Sequence, residues 1–290
     1  VGSFNQKAPM IGLSLLLLLG LTLPESLFAH PVPNNARNHT ASGRPLPKPS
    51  SDVILTEEAA ANRANGNDYV FTASITTAIY SALYDGTMTI KTLKSFGDIA
   101  LGVPDRVDGE LFAVDGRFYN IQADGTVYEL ADSEKVAWAT TKFFKPDRVL
   151  TFDTPVSCSD LFVKLDELIP SINIMYALRI EGDFRYMHTR SIPGQTKPYI
   201  SFSELIDQTT QFYNYDVKGT MVGFRFPSYM EQVNVGGFHF HFLNDAKKVG
   251  GHVNDCTMTR GRVAIDSARK ADIIVPRNED FYESALDGVP

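Results

Sequence analysis

The sequence predicts an α+β protein built mostly of antiparallel and mixed β-sheets in two sub-domains, with a few packed helices. Three observations carry that expectation. Strand-like and helix-like stretches come in blocks rather than in alternation, which argues against a doubly wound parallel sheet. Two Asp-Gly pairs, Asp115-Gly116 and Asp124-Gly125, join short strand-like runs, as in an antiparallel meander. The final third, Val217 to Ile274, is again rich in strand formers.

The elements follow in order. Between Thr76 and Tyr84, Ile79, Ala82 and Leu83 recur at helical spacing, and Asp85-Gly86 ends the run. Thr89 to Phe96 reads as a second short helix stopped by Gly97. Glu110 to Val114, Arg117 to Ala123 and Thr126 to Leu130 are the strands of the meander, and Val136 to Phe144 continues the sheet. Helix returns at Ser159 to Leu168, where Leu161, Phe162, Leu165 and Leu168 trace one apolar stripe closed by Pro170. Asn173 to Glu181 and Phe184 to Ile192 read as a hairpin turning at Gly182-Asp183. Ser201-Phe202-Ser203-Glu204 has the form of a capping box opening a helix that runs to about Gln211.

Ahead of these elements the chain changes character. Ile11 to Leu23 is almost wholly apolar, too short to span a bilayer comfortably but suited to the core of a secretory signal. Residues 1–29 are therefore expected to be a signal peptide cleaved after Ala29, giving a secreted protein without a membrane anchor; an uncleaved signal anchor is the competing reading. Residues 30–67 carry five prolines among Asn, Arg, Ser and Ala, a tail that buries too little surface to offset chain entropy. The sequon Asn38-His39-Thr40 lies in that tail. The two β-rich sub-domains are then expected at 68–155 and 156–290.

At 290 residues, with 43% hydrophobic and 21% charged side chains, there is ample material for a packed core. A net charge of −7 without a basic run excludes nucleic acid as the main partner. Cys158 and Cys256 could pair in an oxidising compartment or remain buried thiols, and the residues alone leave both open.

Three of the six histidines gather in Gly237-Phe238-His239-Phe240-His241-Phe242 and Gly251-His252-Val253. Residues i and i+2 of a strand share a face, so His239 and His241 project together while the phenylalanines face the other way. The turn-rich stretch Asn244 to Gly250 returns the chain and brings His252 beside them. Three converging imidazoles suit a tetrahedral Zn²⁺ with one position left for water or substrate. Fe, Ni, Cu and Mn also accept such ligands. The competing reading is a strand whose histidines only hydrogen-bond.

The same stretch, with Gly219-Thr220-Met221-Val222-Gly223-Phe224 before it, resembles the signature segment of the acetolactate decarboxylases. Tyr84-Asp85-Gly86, Gly97-Asp98, Asp108-Gly109-Glu110-Leu111, Tyr176 to Ile180 and Thr189-Arg190 fit that family in the same order, so the resemblance covers roughly residues 75 to 275. It implies conversion of 2-acetolactate to acetoin and carbon dioxide, with a zinc ion stabilising the enediolate left when carbon dioxide departs. A small β-keto acid would be the partner, and a homodimer formed by sheet pairing in the N-terminal half is implied as well.

The resemblance assigns Arg190 as the active-site arginine, whose planar fork suits a carboxylate. Glu110 matches the glutamate of Asp-Gly-Glu-Leu; beside Phe112 and Val114 on one strand face, it needs a charged or metal partner. His188, Tyr186, Asn254 and Cys256 are weaker candidates by position. The family also carries a glutamate beyond the last strands. Glu279 and Glu283 lie in that stretch, neither at the matching place, so that role is expected to be dropped, replaced or supplied beyond Pro290. A carbonic-anhydrase-like lyase places its third histidine farther along the chain, and a cupin-like oxygenase needs a glutamate shortly after His-x-His, so both fit less well. A secreted metal-binding homologue that lacks catalysis or acts on another 2-hydroxy-3-keto acid is the main alternative.

Overall fold

The computed structural model describes residues 68–286; the expected signal, the proline-rich tail and its sequon lie outside the described residues. Two sheets make up the fold. The first takes β1 (Tyr69–Ala73), β2 (Met88–Thr89), β3 (Ile99–Pro104), β4 (Glu110–Val114), β5 (Arg117–Ile121), β6 (Val127–Glu129) and β7 (Lys135–Lys142). The second takes β8 (Arg148–Phe152), β9 (Val156–Ser157), β10 (Met175–Ser191), β11 (Thr210–Phe226), β12 (Gly237–Asn244) and β13 (Gly250–Ala268). β14 (Lys270–Ile274) returns to the first sheet and runs parallel to β1. Thus the sheets exchange chain across the sub-domain boundary expected at residue 155: β8 joins the second sheet and β14 the first.

The meander forms as its turns require. Asp115 and Gly116 both adopt positive φ (53° and 75°), the two-residue turn whose twist matches its strands. In the second sheet β10, β11, β12 and β13 follow one another antiparallel, and β10 also pairs with β13, closing four strands on themselves. A closed set of strands leaves no open edge along these pairings.

Helices are few and short: α1 (Thr76–Tyr80), α2 (Ile90–Leu93), α3 (Cys158–Leu168), α4 (Phe202–Asp207) and α5 (Glu279–Glu283). Ser157 caps α3 through its side chain, and Ser201 with Glu204 forms the expected capping box of α4. α1 stops before Tyr84 because Ala82 turns to a φ of 58°. α4 likewise ends short of Gln211, where β11 has already begun. Among the described residues no helix is long and apolar enough to cross a membrane.

One expectation is corrected. Gly182-Asp183 is not a hairpin turn; β10 runs straight through it for 17 residues. Gly182 faces Gly261 of β13, and a Cβ on it would sit 2.7 Å from the Arg260 carbonyl oxygen. The glycine serves close strand approach beside a bulge, a role that local turn chemistry imitates. Cys158 and Cys256 are joined in a disulfide, which resolves the alternative left by the residues and ties the start of α3 to β13.

Apolar side chains fall into three layers. Phe112, Trp138, Val222, Phe224 and Leu243 fill the space between the two sheets. Leu161 and Leu165 of α3 pack with Phe184, Phe240 and Phe242 of the second sheet. Phe71, Leu93 and Leu111 pack on the opposite face of the first sheet. Fully burying a side chain such as Phe242 contributes roughly 1.5–3 kcal/mol. β12 therefore divides as its alternation requires, with Phe240 and Phe242 on one side and His239 and His241 on the other.

Candidate metal centre

The histidines occupy the face of the second sheet that meets the first. His239 lies opposite Phe224, and His241 opposite Val222, residues whose side chains belong to the layer between the sheets. Across the turn, His252 of β13 is the direct partner of His241. One potential ligand atom from each of the three imidazoles falls within 4.8 Å of the others. His239 Nε2 is 3.0 Å from His252 Nδ1. His239 and His241 are buried, and His252 is partly so.

The first sheet orients this cluster. His241 Nδ1 lies 2.7 Å from the carbonyl oxygen of Leu111, which can only accept, so Nδ1 carries the proton and Nε2 keeps its lone pair. A ligating histidine held by a carbonyl on its other nitrogen is the usual arrangement in metal sites. His241 Nε2 is also 3.3 Å from Glu110 Oε2.

Glu110 reaches that place from an unusual segment. Arg106, Val107 and Gly109 all have positive φ (56°, 49° and 109°), and Val107 is β-branched, so the turn before β4 holds backbone strain. The Arg106 carbonyl accepts from Gln195, and Asn120 donates to the Asp108 carbonyl, which secure it.

Arg190 of β10 is the direct partner of His252 on the neighbouring strand. Gly251, the residue before His252, has a φ of 129°, and a Cβ there would come 2.4 Å from the Arg190 carbonyl oxygen. Glycine is required there by the positive φ and the close approach of β13 to β10.

Burial governs the charges. It pushes the Glu110 carboxyl up to about 8, with Arg190 pulling the other way. His241 is lowered to about 4, first by burial, with Arg190 adding to the effect and the Leu111 carbonyl opposing it. His239 is held well below the usual imidazole range by burial and then by His241 and Arg190. His252 follows for the same reason, with His239, His241 and Arg190 contributing. Three imidazoles kept neutral with converging nitrogens form a donor set that fits a divalent cation, since a metal needs the lone pair that a proton would occupy.

Of the five residues singled out from sequence, His239, His241 and His252 converge, Glu110 lies against His241, and Arg190 pairs with His252 between β10 and β13. The weaker candidates do not join them. His188 instead stacks on Tyr213 and pairs with Gln211 at 2.8 Å, while Asn254 donates to the same Gln211. Tyr186 packs against Tyr215, Cys256 is in the disulfide, and Glu279 and Glu283 are exposed. Two groups escaped sequence reasoning. The Leu111 carbonyl leaves no signal in residue type, and Trp138, stacked on His239, reads in sequence only as an apolar strand position.

Comparison with known proteins agrees with this geometry. The family model of alpha-acetolactate decarboxylase matches residues 70–288. The alpha-acetolactate decarboxylase of Methanosarcina mazei is 35% identical over 222 residues, covering 77% of each chain. That of Raoultella terrigena is 36% identical over 217 residues, 75% of this chain and 84% of its own. The crystal structure of alpha-acetolactate decarboxylase from Bacillus subtilis strain 168 superposes with a TM-score of 0.75 at 30% identity, covering 76% of this chain and 94% of that one. Sequence and fold together place the chain among the carboxy-lyases. It belongs to the alpha-acetolactate decarboxylase family.

Proposed function

We propose that the protein decarboxylates 2-acetolactate to acetoin and carbon dioxide at a zinc ion held by His239, His241 and His252. The observation that carries this reading is the placement of a buried glutamate and an arginine against three neutral, converging imidazoles. Zinc, when bound, supplies Lewis acidity toward the enediolate whose electron pair carbon dioxide leaves behind. Arg190 has the planar fork that binds and orients the substrate carboxylate. Glu110, its proton affinity raised by burial, is placed to hold a proton beside the substrate oxygens and to release it to the carbon that loses carbon dioxide. The Leu111 carbonyl keeps His241 in the tautomer that offers Nε2. Packing of the two sheets shields the site from bulk water and strengthens each of these interactions.

Export after cleavage following Ala29, with action outside the cell, is part of the same proposal. The apolar run Ile11 to Leu23 supports it, and so does the Cys158–Cys256 disulfide, which suits an oxidising compartment. That location favours a second reading of the substrate, a related 2-hydroxy-3-keto acid encountered outside the cell. Homodimerisation is included in the proposal on the family resemblance. The test is acetoin formation by purified protein from 2-acetolactate. Activity that disappears on chelation and returns with zinc supports the reading; a zinc-loaded protein that turns over no 2-hydroxy-3-keto acid overturns it.

A further inference from the structure

Trp138 is the only tryptophan in the chain, and its side chain is buried in β7. Its ring lies nearly parallel to the His239 imidazole, with centroids 5.9 Å apart and planes 14° from each other. An indole N–H can only donate, and buried tryptophans ordinarily find an acceptor for it. Here Nε1 is fully shielded and has no partner.

The orphan is not isolated. Seven buried side-chain polar atoms among the described residues lack a partner, and three of them, Trp138 Nε1, His239 Nδ1 and Arg190 Nε, belong to this one site. Unpaired buried donors are few in native proteins and costly to keep. Trp138 Nε1 and Arg190 Nε are donors of fixed hydrogen count, one of them on a cation, and neither finds an acceptor within the protein. A carboxylate fits best, because it offers about four lone-pair directions and only some can be used by one guanidinium.

We propose that Trp138 donates its indole N–H to the carboxylate of the bound 2-hydroxy-3-keto acid and, together with Arg190, selects for that anion. The inference rests on the decarboxylase reading above and adds a specificity residue to it. Its consequence for the reaction is distinct. The bond is made to a group that departs as neutral carbon dioxide, so it favours the bound substrate more than the transition state. Losing it raises KM and leaves kcat unchanged or slightly raised. The neutral product lacks the acceptor and is released from this contact.

A single tryptophan makes the test direct, because ¹⁵N-labelled protein gives one indole N–H signal. The zinc-loaded protein is titrated with a 2,3-dihydroxy-2-methyl acid, which lacks the ketone and cannot lose carbon dioxide, and separately with the neutral vicinal diol of the same skeleton. The indole proton is expected to move downfield with the acid and to stay in place with the diol. Trp138→Phe keeps the aromatic stack and removes the donor. It should raise the calorimetric Kd of the acid and the KM of the substrate by about tenfold, leave diol binding unchanged, and hold kcat within about twofold. Equal shifts with acid and diol, or a parental Kd in Trp138→Phe, overturn the assignment. If parental protein turns over substrate and only these expectations fail, the decarboxylase reading stands and the role of Trp138 falls. If parental protein binds neither the acid nor zinc, both fall.

Discussion

The Nδ1 of His241 lies 2.7 Å from the carbonyl oxygen of Leu111, so a backbone group of the first sheet sets the tautomer of a candidate ligand on the second. The centre is therefore a product of how the two sheets meet. Residues on either side of that interface can be changed separately, with different expected results.

Arg190 tests the division between holding a metal and using it. Arg190→Ala should keep its zinc content, since Arg190 is a neighbour of His252 and not one of the three converging imidazoles. Turnover should fall by about 100-fold or more, the usual scale for removing a preorganised charge-stabilising donor. Arg190→Lys should restore little, because an ammonium does not reproduce the planar fork. Metal analysis alongside an acetoin assay reads both effects.

Gly251 tests the approach of β13 to β10. Gly251→Ala places a methyl 2.4 Å from the Arg190 carbonyl oxygen and demands a φ of 129° from a residue with a Cβ. Destabilisation of at least ~2 kcal/mol is expected by denaturant titration, from strain and from the displaced strand. Zinc affinity should fall too, because His252 is the next residue.

How much of this was legible in the sequence depends on whether the signal is local. The His239–His241 pair needs only strand alternation, and His252 needs one turn, so all three could be read directly. Asp115-Gly116 states its turn in its own chemistry. By contrast, Gly182-Asp183 carries turn chemistry where the structure needs close packing against Gly261, a residue of a different strand. Trp138 becomes informative only when β7 of one sheet meets His239 of the other, and no spacing rule records that meeting. The exchange of β8 and β14 between sheets is equally long-range.

The disulfide closes a stretch with a sequence separation of 98, and the loop-entropy model gives roughly 4–5 kcal/mol for a link of that length. Cys158→Ser with Cys256→Ser should lose a stabilisation of that order in urea titration while keeping its zinc. Loss of metal together with the disulfide would mean that the link shapes the site and does more than restrain the unfolded chain.

Lys142 and Asp266 form a buried ion pair of 2.8 Å that joins the first sheet to the second. Burial raises the Asp266 carboxyl from 3.8 to about 6, with Lys142 opposing the shift. A folded value above the unfolded one means that this group's contribution is fully present below pH about 3.8 and is lost as pH rises through about 6. Asp266→Asn cannot titrate and keeps a neutral side chain of similar shape beside Lys142 at every pH. Its stability relative to the parent should therefore rise by roughly 2–3 kcal/mol between pH 4 and pH 7, as the parent alone loses its titration-linked contribution. Denaturant curves of both proteins across that range provide the measurement.

Closure of His239, His241 and His252 on one cation is read by metal analysis of purified protein after zinc loading and desalting, beside His241→Ala treated alike. One zinc per chain is expected in the parent and almost none in the variant, with both folded by circular dichroism. An unloaded parent, or a His241→Ala protein that keeps its zinc in full, overturns the three-histidine centre.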